Sequence, residues 1–235
     1  MEIKRFGKRS GQIRTEWLEK TLKKIPNGSR ILDAGAGQLR FKPLCSHLKY
    51  VSQDFAQYDG VGDGKGKQKE KWDQGELDIV CDITNIPEPD NSFDAIMCIE
   101  VFEHLPDPIA AIREFSRLLK TGGYLVLTAP RSSLTHYSPY HFYSGFNHYF
   151  YETHLKKNTL EILEIVPNGS FFEWAAEGMR LIKNRAIEYV NDKPNLIEQG
   201  AIHILLKMLQ RFEKKDRSSH EIMCLGYNVF AKSIK

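Results

Sequence analysis

The run Ile31-Leu32-Asp33-Ala34-Gly35-Ala36-Gly37 constrains this chain more than any other segment: strand-forming residues from Arg30 to Ala34 open directly onto a glycine-rich turn. Small residues there let the backbone approach a ligand where a Cβ would collide. In an open α/β sheet, ligands bind beyond the carboxyl ends of the strands, which is where this turn falls. A tight strand-to-helix turn with no ligand would use the same residues, so the flanking acids matter. A nicotinamide fingerprint needs Gly-x-Gly-x-x-Gly, and Arg40 stands at the third glycine position. Asp33, just before the glycines, suits a ligand carrying an ammonium group. Asp54 closes a second strand, Tyr50–Asp54, where a carboxylate can accept hydrogen bonds from both hydroxyls of a ribose.

The pattern continues. Helical spacing of Ile13, Trp17, Leu18, Leu22 and Ile25 predicts a helix over 12–25, stopped by Pro26-Asn27-Gly28. Residues 77–83 and 93–99 read as strands, 108–119 as a helix ended by Thr121-Gly122-Gly123, and 124–129 as an apolar strand stopped at Pro130. The Gly- and Lys-rich stretch 56–76, with its charge run Lys65–Lys71, reads as a solvated surface loop rather than a phosphate-binding stripe. Further on, 152–163 suggests a helix, 162–174 a strand interrupted at Pro167-Asn168-Gly169, about 175–190 and 196–213 two helices, and 224–234 a last strand. Strands alternating with helices predict a parallel sheet covered on both faces. One domain over 1–235 is expected, with an N-terminal helix (1–28), a core (29–130), an acceptor-side segment with helical cover (131–223) and a final strand (224–235).

Composition narrows the partners. The formal net charge is only +3, from 33 Lys and Arg against 30 Asp and Glu. That excess is too small to predict a nucleic-acid face. No run approaches the ~18 apolar residues needed to span a bilayer, and the first five residues lack a leader's apolar stretch. Cys45, Cys81, Cys98 and Cys224 are widely spaced, which predicts no zinc or disulfide framework. Cys81 and Cys98, inside apolar runs, are expected as buried reduced thiols. A cytoplasmic setting, a small-molecule acceptor, and a monomer or homodimer are expected.

From about Ile25 to Pro130 the residues resemble the class I S-adenosylmethionine-dependent methyltransferase family. Ile31–Gly37 is similar to its Asp-x-Gly-x-Gly motif, with Leu39 where many members have a further glycine. Asp82-Ile83 resembles the adenine-binding step, and Asn91-Ser92-Phe93-Asp94 the entry to the fourth strand. Glu100-Val101-Phe102-Glu103-His104-Leu105 resembles the segment after that strand. Leu118-Leu119-Lys120-Thr121-Gly122-Gly123 resembles the family's Leu-Lys-Pro-Gly-Gly turn, with Thr121 replacing proline. The resemblance implies a Rossmann-like, doubly wound, mostly parallel seven-stranded sheet with an antiparallel last strand and helical insertions near the C-terminus. It also implies S-adenosylmethionine as cofactor, held by Asp33, Gly35, Gly37, Asp54, Phe55, Asp82, Ile83, Ile99 and Glu100.

A sulfonium methyl is its own electrophile, so such a protein supplies alignment and sometimes a base. Two places offer one: His104, after the fourth strand, and His141, within the aromatic, His-rich stretch 136–151. Imidazole titrates near working pH. The bland alternatives are a packed His104 and an aromatic clasp that merely anchors the next helix. No spacing implies a metal. The pattern His141-Phe142-Tyr143-x-Gly145-Phe146-Asn147-x-Tyr149 resembles bacterial methyltransferases found with surface-glycan and nucleotide-sugar biosynthesis. It implies O-methylation of a small polar metabolite, a sugar or nucleotide-linked precursor. A lipid or quinone-like acceptor, a macromolecular acceptor, and a non-catalytic cofactor-binding subunit remain the alternatives.

Overall fold

The computed structural model describes residues 3–69 and 71–235; Glu70, within the lysine-rich run, and the first two residues lie outside them. The elements are α1 (Ser10–Leu22), β1 (Arg30–Ala34), β2 (Lys49–Asp54), β3 (Ile79–Val80), β4 (Phe93–Ile99), α2 (Pro108–Leu118), β5 (Leu119–Pro130), α3 (His148–Lys157), β6 (Leu160–Asn168), α4 (Phe171–Val190), α5 (Leu196–Glu213) and β7 (Gly226–Ser233). The seven strands form one sheet in the order β3-β2-β1-β4-β5-β7-β6. Pairs β1–β2, β1–β4, β2–β3 and β4–β5 are parallel, and β7 runs antiparallel to β5. The order reverses between β1 and β4, so the crevice that receives ligands in such sheets lies at their carboxyl ends.

Contacts group the chain into two compact units. The larger, 16–166 with 226–235, carries the sheet; the other joins the N-terminal residues up to Thr15 to 167–225. In the sheet-bearing unit, β1 and β4 are buried almost throughout. Trp17, Leu18, Leu22, Ile31, Ala95, Met97, Val126 and Phe230 share one apolar cluster. In the smaller unit Phe6 packs with Ala176, Leu206 and Leu209. Glu173, 1% exposed, accepts the Gly7 N–H at 2.6 Å and meets Arg9 at 3.3 Å. These bonds explain why the N-terminal residues group with α4. α4 and α5 leave Ile187, Tyr189, Ile197 and Ile204 exposed. Among the described residues, no helix is long and apolar enough to cross a membrane.

Several expectations need correction. The strand expected over 77–83 is only Ile79–Val80, because the Asp78 carboxylate takes the Ser52 N–H and hydroxyl and Asp82 folds back onto Thr84. Thr121-Gly122-Gly123 does not separate helix from strand. It bulges within β5, where the pairing jumps from Phe93–Leu119 to Ala95–Tyr124. The helix expected at 152–163 is α3, four residues earlier at its start: Asn147 caps it through the Phe150 N–H, and Thr159 (φ 56°) turns the chain into β6. The strand expected to continue past Gly169 ends at Asn168, since Gly169 (φ 74°) and the Ser170 cap start α4. Cys98 is buried as expected, while Cys81 is only half-buried; none of the four cysteines forms a disulfide among the described residues. The β1–β2 crossover holds only a single 3-10 turn, Lys42–Cys45, started by Pro43.

Candidate active site

The glycine turn is built from β1 and β2 together. Gln53, 1% exposed, accepts the Gly35 and Ala36 N–H groups on its backbone oxygen at 2.9 and 2.8 Å. Its side chain spans to the end of β3, donating to the Cys81 carbonyl at 2.8 Å. The two glycines act differently. A Cβ on Gly35 (φ 78°) would fall 2.5 Å from Val101 Cγ2, so Gly35 permits close packing of the segment after β4. A Cβ on Gly37 (φ 51°) would meet only the Trp72 ring, at 3.1 Å. Gly37, in the left-handed region, thus leaves room for the indole of Trp72 to lie against the turn.

Asp54 braces the turn at the end of β2. Its two oxygens are turned inward: Oδ2 accepts the Gly37 N–H at 2.9 Å and Oδ1 the Ala56 N–H at 2.9 Å. Each oxygen keeps a second lone pair, so the carboxylate braces the turn and retains acceptor capacity. Phe55 beside it packs edge-on to Tyr140, 4.9 Å between ring centroids. Ile83 is buried and Asp82 exposed, its Oδ1 taken by the Thr84 N–H and hydroxyl. Ile99 ends β4 inside the apolar core. Glu100 follows in the left-handed region (φ 57°), its N–H on Thr128 O and its Oε1 accepting from the Thr128 hydroxyl at 3.0 Å. A non-glycine residue held there is the kind of strain found at functional sites.

Asp33 is fully buried and accepts the Tyr50 hydroxyl at 2.5 Å. Burial pushes its carboxyl up to about 7, against the pull of the Tyr50 hydrogen bond. Its present partner is thus a phenol inside the sheet, and no spacing rule pointed to Tyr50.

The stretch after β5 divides into two parts. Its neck is closed by Phe146 N–H on Pro130 O at 2.8 Å and by Ser133 N–H on Ser144 O at 2.6 Å. Gly145 sits where a Cβ would overlap the Arg131 carbonyl carbon at 2.2 Å. Phe146 and Phe150 pack on Phe102, with centroids at 6.0 and 6.3 Å. This half is the clasp. The other half gathers three imidazoles: His104 and His136 lie 4.7 Å apart, His136 and His141 5.0 Å, and His104 and His141 6.1 Å. The two expected histidines are brought together, and His136 is an addition that sequence spacing did not single out.

Hydrogen bonds fix the tautomers. Nδ1 of His104 donates to Tyr140 O at 2.5 Å, and Nδ1 of His136 to Leu134 O at 2.8 Å. Their Nε2 atoms face Glu103 Oε1 at 3.7 and 4.0 Å. Burial, first among the causes, pulls His104 down to about 4, so the 3.7 Å contact is not an ion pair at neutral pH. Burial also lowers His136 and His141. Glu103, His104 and His136 offer ligand atoms within 4.8 Å of one another, a set that could hold a metal ion and that no sequence spacing had suggested.

These shifts have opposite consequences for stability. Between about 4 and 6.5 an unfolded His104 binds a proton that the folded one refuses, so acid costs stability there. Folded Asp33 instead holds a proton, between about 4 and 7, that the unfolded chain has lost; rising pH therefore costs stability, fully so above 7. Asp33→Asn is expected to raise the melting temperature at pH 8, the gain fading toward pH 4, while His104→Gln flattens the acid-side fall. Melting curves of the three proteins across pH 4–8 check both signs; parallel curves would refute them.

The loop is exposed over most of its length, as expected, and its backbone is also tied to this stretch. Lys67 N–H binds Thr135 O at 3.0 Å, Tyr137 N–H binds Lys67 O at 3.0 Å, and Asp63 N–H binds Ser138 O at 3.1 Å. Trp72, Tyr58 and Tyr137 pack together, with centroids 5.0–5.4 Å apart, beside Gly37.

Residues 6–177 match the family model described as a methyltransferase domain. A ubiquinone biosynthesis O-methyltransferase of Xanthomonas axonopodis pv. citri is 32% identical over 129 residues, covering 49% of this chain and 48% of the relative. One from Xanthomonas oryzae pv. oryzae is 56% identical over 41 residues, 17% of each chain. The chain thus spans about half the length, or less, of these curated relatives. Among structures, a geranyl diphosphate methyltransferase superposes with a TM-score of 0.55 at 15% identity, covering 95% of this chain and 84% of that one. The Bacillus subtilis YcgJ protein gives 0.54 at 14% identity, covering 94% and 99%. At such identities the structures speak for the fold alone.

Proposed function

Because the chain belongs to the methyltransferase-domain family, we propose that it transfers a methyl group from S-adenosylmethionine to an oxygen of a small polar acceptor, a sugar or nucleotide-linked metabolite. The observation that carries the cofactor half is the Gly37–Asp54 brace, which fixes the backbone of the glycine turn at the carboxyl ends of β1 and β2. The residues fit such a ligand. Asp54 keeps acceptor lone pairs for a ribose, Phe55 stands beside it, and Asp82 and Ile83 offer an acid and an apolar wall for a base. Asp33, Gly35, Ile99 and Glu100 support the floor on which these stand. When bound, the cofactor supplies an activated methyl group. The histidine cluster, His104 after β4 with His136 and His141 after β5, supplies uncharged imidazole to take a proton from an acceptor hydroxyl.

A second reading is favoured by the relatives' name: those proteins are O-methyltransferases of ubiquinone biosynthesis. A ring hydroxyl on a quinone-like acceptor would suit the aromatic stretch from Tyr137 to Tyr143 equally well.

Calorimetric titration of the purified protein with S-adenosylmethionine and S-adenosylhomocysteine tests the cofactor. Micromolar binding of both is expected, followed by methylation in a screen containing nucleotide sugars and catechols. A folded sample that binds neither ligand ends the enzyme reading.

A further inference from the structure

We propose that Arg40, Lys67, Lys69 and Trp72 form a receiving site for the diphosphate group of a phosphorylated acceptor, beside the glycine turn. This rests on the methyltransferase reading and names the chemistry of its second substrate.

Three cations gather beside this turn without counterions among the described residues. Lys69 lies near enough to Arg40 and Lys67 that, after burial, their charges are what depress its ammonium. Among the described residues, none of the three side chains forms an ion pair, and only that of Lys69 makes a hydrogen bond. Lys69 Nζ donates to the Gln38 amide oxygen at 3.0 Å and stands over the rings of Trp72 (4.5 Å) and Tyr137 (5.7 Å). The aspartates of the same loop are engaged with their own turns: Asp59 on the Val61 and Gly62 N–H groups, Asp63 on Lys65, and Asp73 on Gly75. Like charges gathered without an acid repel one another, and an arriving anion relieves that repulsion.

A second observation is independent of charge. Trp72 Nε1 is buried and has no hydrogen-bond acceptor among the described residues. A buried N–H left without an acceptor is costly, and a ligand oxygen would satisfy it. The indole is not loosely placed: Tyr58 and Tyr137 pack on it, and its six-membered ring abuts Gly37. Three cations and one N–H donor suit a group bearing two or more charges and several oxygens. Arginine and lysine both serve phosphate, Arg40 by a planar fork and the lysines as point charges. The backbone ties from Lys67 to Thr135 and Tyr137 place this site against the segment that carries the histidines. A diphosphate held at this site would leave the remainder of its molecule beside that segment.

The diphosphate can come from a nucleoside diphosphate or a prenyl diphosphate, so both are probes. Protein saturated with S-adenosylhomocysteine is titrated with UDP, with farnesyl diphosphate and with uridine, and the series is repeated without S-adenosylhomocysteine. One diphosphate at least is expected to bind, which identifies the source, while uridine does not. Affinity should fall tenfold or more in a Lys67→Ala, Lys69→Ala double variant, several-fold in Trp72→Phe, and steeply with salt. S-adenosylhomocysteine affinity should stay unchanged in the lysine double variant, while Trp72→Phe, whose ring abuts Gly37, is read on diphosphate affinity alone. If neither diphosphate binds a protein that still binds S-adenosylhomocysteine, the proposal fails and the cofactor reading stands. If S-adenosylhomocysteine affinity drops with the lysines, the patch serves the cofactor's own carboxylate and the proposal is overturned. If S-adenosylhomocysteine alone fails, the methyltransferase reading falls, and the titrations without it still decide the anion site.

Discussion

Asp54→Ala is expected to weaken S-adenosylhomocysteine binding by one to two orders of magnitude and to lower thermal stability in the same protein. The carboxylate holds two backbone N–H groups, Gly37 at 2.9 Å and Ala56 at 2.9 Å, from a site only 7% exposed. Hydrogen bonds to a charged acceptor contribute about 1.5–3 kcal/mol, and alanine leaves both donors without a partner. Ala56 sits in the left-handed region (φ 56°), a conformation that depends on its surroundings to persist. Loss of about 1.4–2.8 kcal/mol of ligand binding corresponds to roughly ten- to a hundredfold in Kd. Asp54→Asn separates the two roles of the side chain. Its amide keeps one acceptor for a backbone N–H, so stability should recover more than affinity does. Calorimetry and melting curves on both variants give the answer; wild-type affinity in Asp54→Ala would remove Asp54 from the cofactor site.

This double role shows what a sequence can disclose. The position of Asp54 at the end of β2 was legible, because strand periodicity and the preceding glycine turn fix where the strand stops. Its orientation was not, since that depends on which backbone amides lack partners once Gly37 and Ala56 turn left-handed. Gln53 was invisible for a related reason: a polar residue in a strand reads as surface until the neighbouring strand end at Cys81 is known to lie within reach of its amide. The sheet itself followed from alternating apolar runs, while the crossovers did not. Pro43 and the glycines of 56–76 permit irregular connections, and backbone pairing with 134–138 orders the second of them. Such pairing joins residues about seventy positions apart and leaves no local periodicity. The lysine run is exposed as its composition predicts, but its remote aromatic neighbours left no local signal. His136 was hidden among equally spaced aromatics until Leu134 O fixed its ring.

His141→Ala is expected to reduce turnover about 10²–10⁴-fold, the range for loss of a positioned general base, with S-adenosylhomocysteine affinity unchanged. The three imidazoles are not equivalent. His104 titrates at about 4 and donates Nδ1 to a carbonyl, which leaves a weakly basic Nε2 directed at Glu103. His136 is arranged in the same way, with its Nε2 facing the same carboxylate. His141 differs. Ser133 Oγ gives its single proton to Ser144 O at 3.0 Å, so it must accept from His141 Nε2 at 3.1 Å. That bond fixes the Nε2–H tautomer and leaves Nδ1 as the basic atom, carrying no hydrogen bond among the described residues. Burial, with the charge of His136 second, lowers the His141 pKa from its usual 6.5. kcat/KM should therefore rise from acid to a plateau before neutrality, as His141 loses its proton. Ser133→Ala frees the tautomer without removing the base, so it should cost less than His141→Ala and keep the acid limb. A pH–rate profile of the three proteins distinguishes base from packing residue: a His141→Ala enzyme with wild-type turnover and an intact acid limb would move the proton transfer to His136.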